Sequence, residues 1–217
     1  MHLKNILFDL DGTLIDSRPG IQFAATLAIK LVLPEREVPD LQSKIGPPIQ
    51  QIFREEFADL EPEIVSVLIR AFRFIYDNYG WRMVNSYDSV SDTLKSLVNL
   101  GINNFIVTNK PIGASNNIMK HLNINNYFTE IVCPDVKEPN FGSKSEMVTY
   151  LIEGHDLNTR NTVLIGDSSE DAQAAQVCNL PFIPVAFGYG NLSVSNPFAG
   201  QKSLKRYADL IGYIRSL

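Results

Sequence analysis

Two pairs of carboxylates set the chemical question. Asp9 and Asp11 stand two apart in Asp9-Leu10-Asp11-Gly12-Thr13, and Asp167 and Asp171 stand four apart in Gly166-Asp167-Ser168-Ser169-Glu170-Asp171. Asp and Gly are ordinary turn formers, so either cluster alone reads equally as an acidic turn. Each cluster, however, ends a short apolar run: Asn5-Ile6-Leu7-Phe8 before the first, Thr162-Val163-Leu164-Ile165 before the second. If both runs are strands of one sheet, the carboxylates meet at its edge and repel unless a cation or a proton holds them together. An all-oxygen donor set of this kind suits Mg²⁺. A phosphate monoester brought to the same point requires a lysine, with backbone N–H groups and helix N-termini completing the compensation. A carboxyl kept protonated there could serve as a general acid.

The surrounding pattern supplies elements able to place these groups. A third run, Asn104-Phe105-Ile106-Val107, also stops at polar residues, Thr108-Asn109. Two weaker runs, Glu130 to Cys133 and Phe182 to Val185, could add strands, and Pro184 limits the latter to an edge or a short segment. Helical spacing follows the strands: Val90, Leu94, Leu97 and Val98 before Gly101, then Ile112 to Leu122, then Met147 to Ile152. Alternating strands and helices predict an α/β fold with a doubly wound parallel sheet, a Rossmann-like core whose crevice lies outside the strands' carboxyl ends.

From about Pro19 to Gly80 the alternation stops. Ile21, Ala24, Ala25, Ala28 and Ile29 fit one helical stripe, and Ile64, Val67, Leu68, Ala71, Phe72 and Ile75 fit another. The prolines at 34, 39, 47, 48 and 62 divide this stretch into separate helices. The expected organisation is an α/β core over 1–16 and 84–217 with an inserted all-helical cap over 17–83. Phe53, Phe57, Phe72, Phe74, Tyr76 and Tyr79 are expected to form the core of that insert, and Leu204, Tyr207, Ile211 and Ile214 a closing amphipathic helix.

Composition excludes several classes. With 19 Lys and Arg against 24 Asp and Glu the formal charge is −5, which gives no basis for nucleic-acid or anionic-membrane binding. No apolar run approaches the roughly 18 residues of a membrane span. The first five residues lack the pattern of a signal peptide, so a cytoplasmic location is expected. Cys133 and Cys178 are far apart and expected to be buried small apolar residues, and the three histidines have no zinc-ligand spacing. His121 and His155 are expected at helix ends.

Taken in order, the motifs resemble those of the haloacid-dehalogenase-like hydrolases. Asp9-Leu10-Asp11-Gly12-Thr13-Leu14-Ile15-Asp16-Ser17 resembles the first motif, Thr108 the second, Lys144 the third, and Gly166-Asp167 through Asp171 the fourth. The helical insert resembles the small cap of the branch that includes phosphoglycolate phosphatases. The resemblance implies a Mg²⁺-dependent phosphatase of small phosphorylated metabolites. Asp9 would be the nucleophile forming an aspartyl phosphate, and Asp11 the general acid and then base. The Asp9 and Asp167 carboxylates and the Asp11 backbone carbonyl would hold the metal, with Asp171 tuning it or ligating through water. Thr108, Asn109 and Lys144 would meet the phosphoryl group, and Arg18, Lys44 and Gly46 the rest of the substrate. Arg54 is a further cationic candidate in the insert.

Alternatives remain within this reading. The third-motif lysine could be Lys137 or Lys110 instead of Lys144; Ser143, as a helix cap, favours Lys144. Thr108 could be an ordinary strand end, and Asp171 a structural cap. A sugar phosphomutase using the same nucleophile, or a silent phosphate-binding regulatory module, would share much of the set. The physiological phosphomonoester and a monomeric or homodimeric state are not encoded in these patterns.

Overall fold

The computed structural model describes residues 3–190, 192, 198 and 202–215. The chain divides into two compact units, one comprising Met1–Asp16 with Ser86–Leu217 and the other Ser17–Asn85.

The first unit is built on five parallel strands, β1 (Asn5–Phe8), β4 (Asn103–Val107), β5 (Glu130–Val132), β6 (Thr162–Gly166) and β7 (Phe182–Pro184), in the order β5-β4-β1-β6-β7. Two-residue strands, β2 (Ile15–Asp16) and β3 (Asn85–Ser86), lie where the chain leaves and re-enters this unit. All four residues of β1 are buried, as expected of a central parallel strand covered on both faces. Phe8 sits opposite both Ile106 and Ile165, so β4, β1 and β6 end nearly level and their next residues share one edge. Pro184, which cannot donate to a ladder, closes the edge strand β7.

Helices α4 (Val90–Asn99), α5 (Ile112–His121), α6 (Lys144–Gly154), α7 (Ser169–Val177) and α8 (Leu210–Arg215) complete the unit. One core cluster joins Leu7, Phe105 and Leu164 from the sheet to Met147, Val148, Leu151, Ala172 and Ala175 from α6 and α7. The small alanines of α7 let that helix lie close to the sheet, and the large side chains of α6 fill the space beside it.

The second unit holds α1 (Arg18–Val32), α2 (Ile49–Glu56) and α3 (Pro62–Asn78). The face of α1 formed by Ala24, Ala25, Ala28 and Ile29 is buried, and α1 packs chiefly on α3. Phe53 makes edge-to-face contacts with Phe57 and Phe72, both at 5.8 Å, and Phe72 stacks on Tyr76 at 5.7 Å. Among the described residues, no helix is long and apolar enough to cross a membrane.

Several packing expectations need correction. The buried face of α3 is Val65, Leu68, Phe72, Ile75 and Tyr76, one step round from the expected stripe, which leaves Ile64 and Val67 partly exposed. Phe74 and Tyr79 are exposed at 67% and 54% and do not belong to the aromatic core. The closing helix begins only at Leu210. Leu204 instead forms a parallel bridge to Val185, and Tyr207 lies in a separate tight turn. Cys178 is only half-buried, with its thiol beside the Ser145 carbonyl and the Thr149 hydroxyl. Cys133 is fully buried, and burial pushes its thiol up to about 12, so it keeps its proton.

Candidate active site

Asp9, Thr108 and Asp167 follow the ends of β1, β4 and β6, three neighbouring strands. Oxygens of Asp9, Asp167 and Asp171 lie within 4.8 Å of one another, and all three residues are buried. Such an arrangement of like charges is costly in a water-poor site. One internal cation offsets part of it. Lys144 Nζ donates to Asp9 Oδ1 at 2.7 Å and to Asp171 Oδ1 at 2.5 Å, with only 6% of its side chain exposed.

Local capping chemistry puts Lys144 there. Ser143 is the N-cap of α6 and its hydroxyl accepts from the Glu146 N–H, so Lys144 occupies the first helical position. Lys137 is exposed, with its ammonium 4.1 Å above the Phe141 ring. At the fourth motif, the Ser168 hydroxyl accepts from the Asp171 N–H while Asp171 Oδ2 accepts from the Ser168 N–H at 3.0 Å. Asp171 therefore caps α7 with one oxygen and holds Lys144 with the other.

Asp167 is held by backbone. Its Oδ2 accepts from the N–H groups of Tyr189 at 2.9 Å and Gly190 at 2.6 Å. Space for it depends on glycine: a Cβ at Gly12, whose φ is +79°, would fall 1.9 Å from Asp167 Oδ2, and one at Gly188 would fall 2.3 Å from Asp167 Cβ.

Asp11 stands outside the trio. Its Oδ2 faces Lys110 Nζ at 3.2 Å, and its Oδ1 is buried with no hydrogen-bond partner among the described residues. The Lys110 side chain is 8% exposed, so this lysine, which the sequence ranks behind two others, is a built part of the site. Only its two-residue distance from Thr108 could have indicated this. Thr108 is 1% exposed, and its hydroxyl accepts from the Lys110 N–H at 3.2 Å, which leaves its own proton to donate. Asn109 Nδ2 donates to Glu170 Oε2 at 2.5 Å, tying the second motif to the start of α7. Arg18, Lys44 and Gly46 belong to the other unit, where Lys44 pairs with Glu56 and Arg18 opens α1.

Electrostatics favour a divalent ion. Three carboxylates around one ammonium leave a formal −2, which one such ion cancels. Burial pushes the Asp9 carboxyl well up against the opposing pull of Lys144, and the charges of Asp171 and Asp167 add to the rise. Burial works to lower the Lys144 pKa, but Asp171 and Asp9 outweigh it and raise it overall, so the ammonium stays charged. Burial first, with Asp171 adding and the Gly190 and Tyr189 amides opposing, lifts Asp167 from 3.8 to about 6. A hard, all-oxygen donor set with excess negative charge and an orphaned Asp11 oxygen fits Mg²⁺.

A pH dependence follows from the raised Asp167. A carboxyl whose folded pKa exceeds its unfolded one contributes stability below about 3.8 that is lost as pH rises through about 6. In EDTA the melting temperature should therefore lose this contribution between about pH 4 and about pH 6, and Asp167→Asn should flatten that fall. Saturating Mg²⁺ should reverse it by binding the ionised site. A wild-type curve parallel to that of the Asn variant would contradict the assignment.

Residues 6–185 match the family described as haloacid dehalogenase-like hydrolase. The chain belongs to this family. Among relatives of this haloacid dehalogenase-like hydrolase, a 5'-nucleotidase of Pseudomonas aeruginosa is 29% identical over 88% of this chain and 86% of its own. A phosphoglycolate phosphatase of Vibrio vulnificus is 27% identical over 96% of both chains. A crystal structure of a predicted phosphatase from Clostridium acetobutylicum superposes with a TM-score of 0.82 at 28% identity over the full length of both.

Proposed function

We propose that this hydrolase is a Mg²⁺-dependent phosphatase of small phosphomonoesters that works through an aspartyl phosphate on Asp9. The observation that carries the reading is the division of labour between two carboxylates on one turn. Asp9 lies among Lys144, Asp167 and Asp171, whereas Asp11 stands apart with Lys110. This separation supports reading Asp9 as the nucleophile and Asp11 as the acid and base. The names of relatives that cover nearly the whole chain, a 5'-nucleotidase and a phosphoglycolate phosphatase, support the substrate class.

Asp9 attacks phosphorus in line as the bond to the leaving oxygen breaks, and Asp11 delivers its proton to that oxygen. Asp11, now ionised, takes a proton from the water that attacks the phosphorus of the aspartyl phosphate, and the phosphorus–Asp9 bond breaks to release inorganic phosphate. Lys144 balances charge on Asp9 and on the transferred group, and the Thr108 hydroxyl donates to a phosphoryl oxygen. The carboxylates of Asp9 and Asp167 and the Asp11 carbonyl would hold Mg²⁺, with Asp171 acting through water. When bound, the ion supplies charge neutralisation at the phosphoryl oxygens. The helical unit is proposed as the cap that selects the leaving group, with Arg18, Lys44 and Gly46 as its contacts.

Turnover of p-nitrophenyl phosphate with Mg²⁺ and with EDTA tests this reading; activity indifferent to chelation would oppose it. Asp11→Asn sharpens the test. Nitrophenolate leaves without needing a proton and an alkoxide does not, so the variant should lose on the order of 10²–10⁴ in kcat with an alkyl phosphate and clearly less with the aryl one. Equal losses on both would remove Asp11 from the acid role.

A further inference from the structure

We infer that Tyr207 is a positioning residue of this site, its buried hydroxyl donating to a water in the hydration shell of the divalent ion held by Asp9 and Asp167. The inference rests on the Mg²⁺ reading above and adds a residue that no motif contains.

Tyr207 is 1% exposed, and its hydroxyl has no hydrogen-bond partner among the described residues. Buried polar groups are rarely left unpaired, so a folded chain that retains one points to a partner outside the protein. The backbone around Tyr207 is firmly fixed. Leu204, three residues earlier, accepts from the Ala186 N–H at 2.9 Å and donates its own N–H to the Pro184 carbonyl at 2.7 Å, and the Thr93 hydroxyl donates to the Tyr207 carbonyl at 3.2 Å. The ring lies 5.5 Å from Phe187, which also meets Tyr87 at 4.8 Å. Phe187 directly precedes Gly188, Tyr189 and Gly190, the loop that surrounds Asp167 and donates two amides to it. The ring therefore packs on the residue that leads into the loop gripping Asp167.

Its electrostatic surroundings agree. Burial, then the charges of Asp9, Tyr87 and Asp167, hold the phenol well above its usual range, so it keeps its proton and can act only as a donor toward an acidic site. Among the described residues no carboxylate oxygen lies within hydrogen-bond distance of the hydroxyl, and a bridging water serves polar contacts longer than a direct bond at little cost. Mg²⁺ retains several waters when bound to few carboxylates, and outer-shell partners of this kind govern affinity.

Tyr207→Phe deletes only the hydroxyl. Calorimetric titration with Mg²⁺ alone should show affinity weaker by about 10-fold or more, within the range for outer-shell partners. The melting temperature in EDTA should be equal to or above that of the wild type, because an unpaired polar group has been removed. Tyr213→Phe, which removes a hydroxyl bonded to the Lys202 carbonyl, is the control and should leave Mg²⁺ affinity unchanged. Mg²⁺ affinity of Tyr207→Phe within about twofold of wild type would overturn the inference, as would a lowered melting temperature in EDTA, which would reveal a partner within the protein. Retained Mg²⁺ affinity with weakened binding of inorganic phosphate would reassign the hydroxyl to the phosphoryl group. A wild type that binds no Mg²⁺ would remove the underlying reading and this inference with it.

Discussion

Asp9→Asn should abolish turnover, by about 10⁴-fold or more in kcat, without lowering the melting temperature. The amide keeps the size of the side chain but cannot form the acyl phosphate. Its effect on stability has the opposite sign to that usual for losing a buried ion pair. Asp9 is one of three carboxylates sharing a single ammonium, and neutralising it relieves repulsion from Asp171 and Asp167 while Lys144 keeps its 2.5 Å bond to Asp171. Thermal melting in EDTA and steady-state kinetics check the two halves separately. A variant that retains more than about 1% of wild-type kcat would exclude Asp9 as the nucleophile.

Lys144→Met should be damaging in both respects. Removing the ammonium strands Asp9 and Asp171 in a buried site, a kind of loss that costs about 3–5 kcal/mol. For a chain of this length that is a fall in melting temperature on the order of 10 °C in EDTA. Mg²⁺ should restore part of the stability, since it replaces the missing positive charge, but not the kcat, because the lysine also serves the transferring group. Lys137→Ala removes only an exposed ammonium above Phe141, worth under about 1 kcal/mol, and should leave turnover within about twofold of wild type. Should the two variants behave alike, the placement of Lys144 between two carboxylates would not describe the working enzyme.

The sheet was legible in the sequence because its central strands are uniformly apolar and stop abruptly at polar residues, a pattern that burial on both faces imposes. Pro184 marked the edge for a covalent reason, the missing N–H. The face of α3 was harder to read. Its sequence carries apolar residues nearly all the way round, with Ile64, Val67 and Phe74 competing with Val65, Phe72 and Tyr76, so periodicity left the phase open and packing on α1 decided it. The run from Leu204 to Ile214 misled for a related reason. Helical spacing is also met by a strand-edge bridge followed by a tight turn, and only pairing with Val185 distinguishes them.

At the site, the residue types and their strand ends could be read locally, and the contacts between them could not. Nothing near Asp11 in sequence indicates Lys110, which lies 99 positions away. The grip on Asp167 comes from amides of Tyr189 and Gly190, groups present at almost every position and thus without a signature. Tyr207 has the spacing of a helix face, whereas its burial beside Phe187 comes entirely from the tertiary fold.

Asp9 should take up a phosphoryl group when a divalent ion relieves the crowded carboxylates. Mixing the wild-type protein with a turned-over phosphomonoester, quenching in acid within the first turnover and mapping the phosphorylated peptide tests this directly. The expected product is an acid-stable, hydroxylamine-labile phosphoryl group on the peptide bearing Asp9, present with Mg²⁺ and absent both with EDTA and in Asp9→Asn. Rapid turnover with no phosphorylated peptide under conditions that trap one, or with the label on another residue, would contradict it.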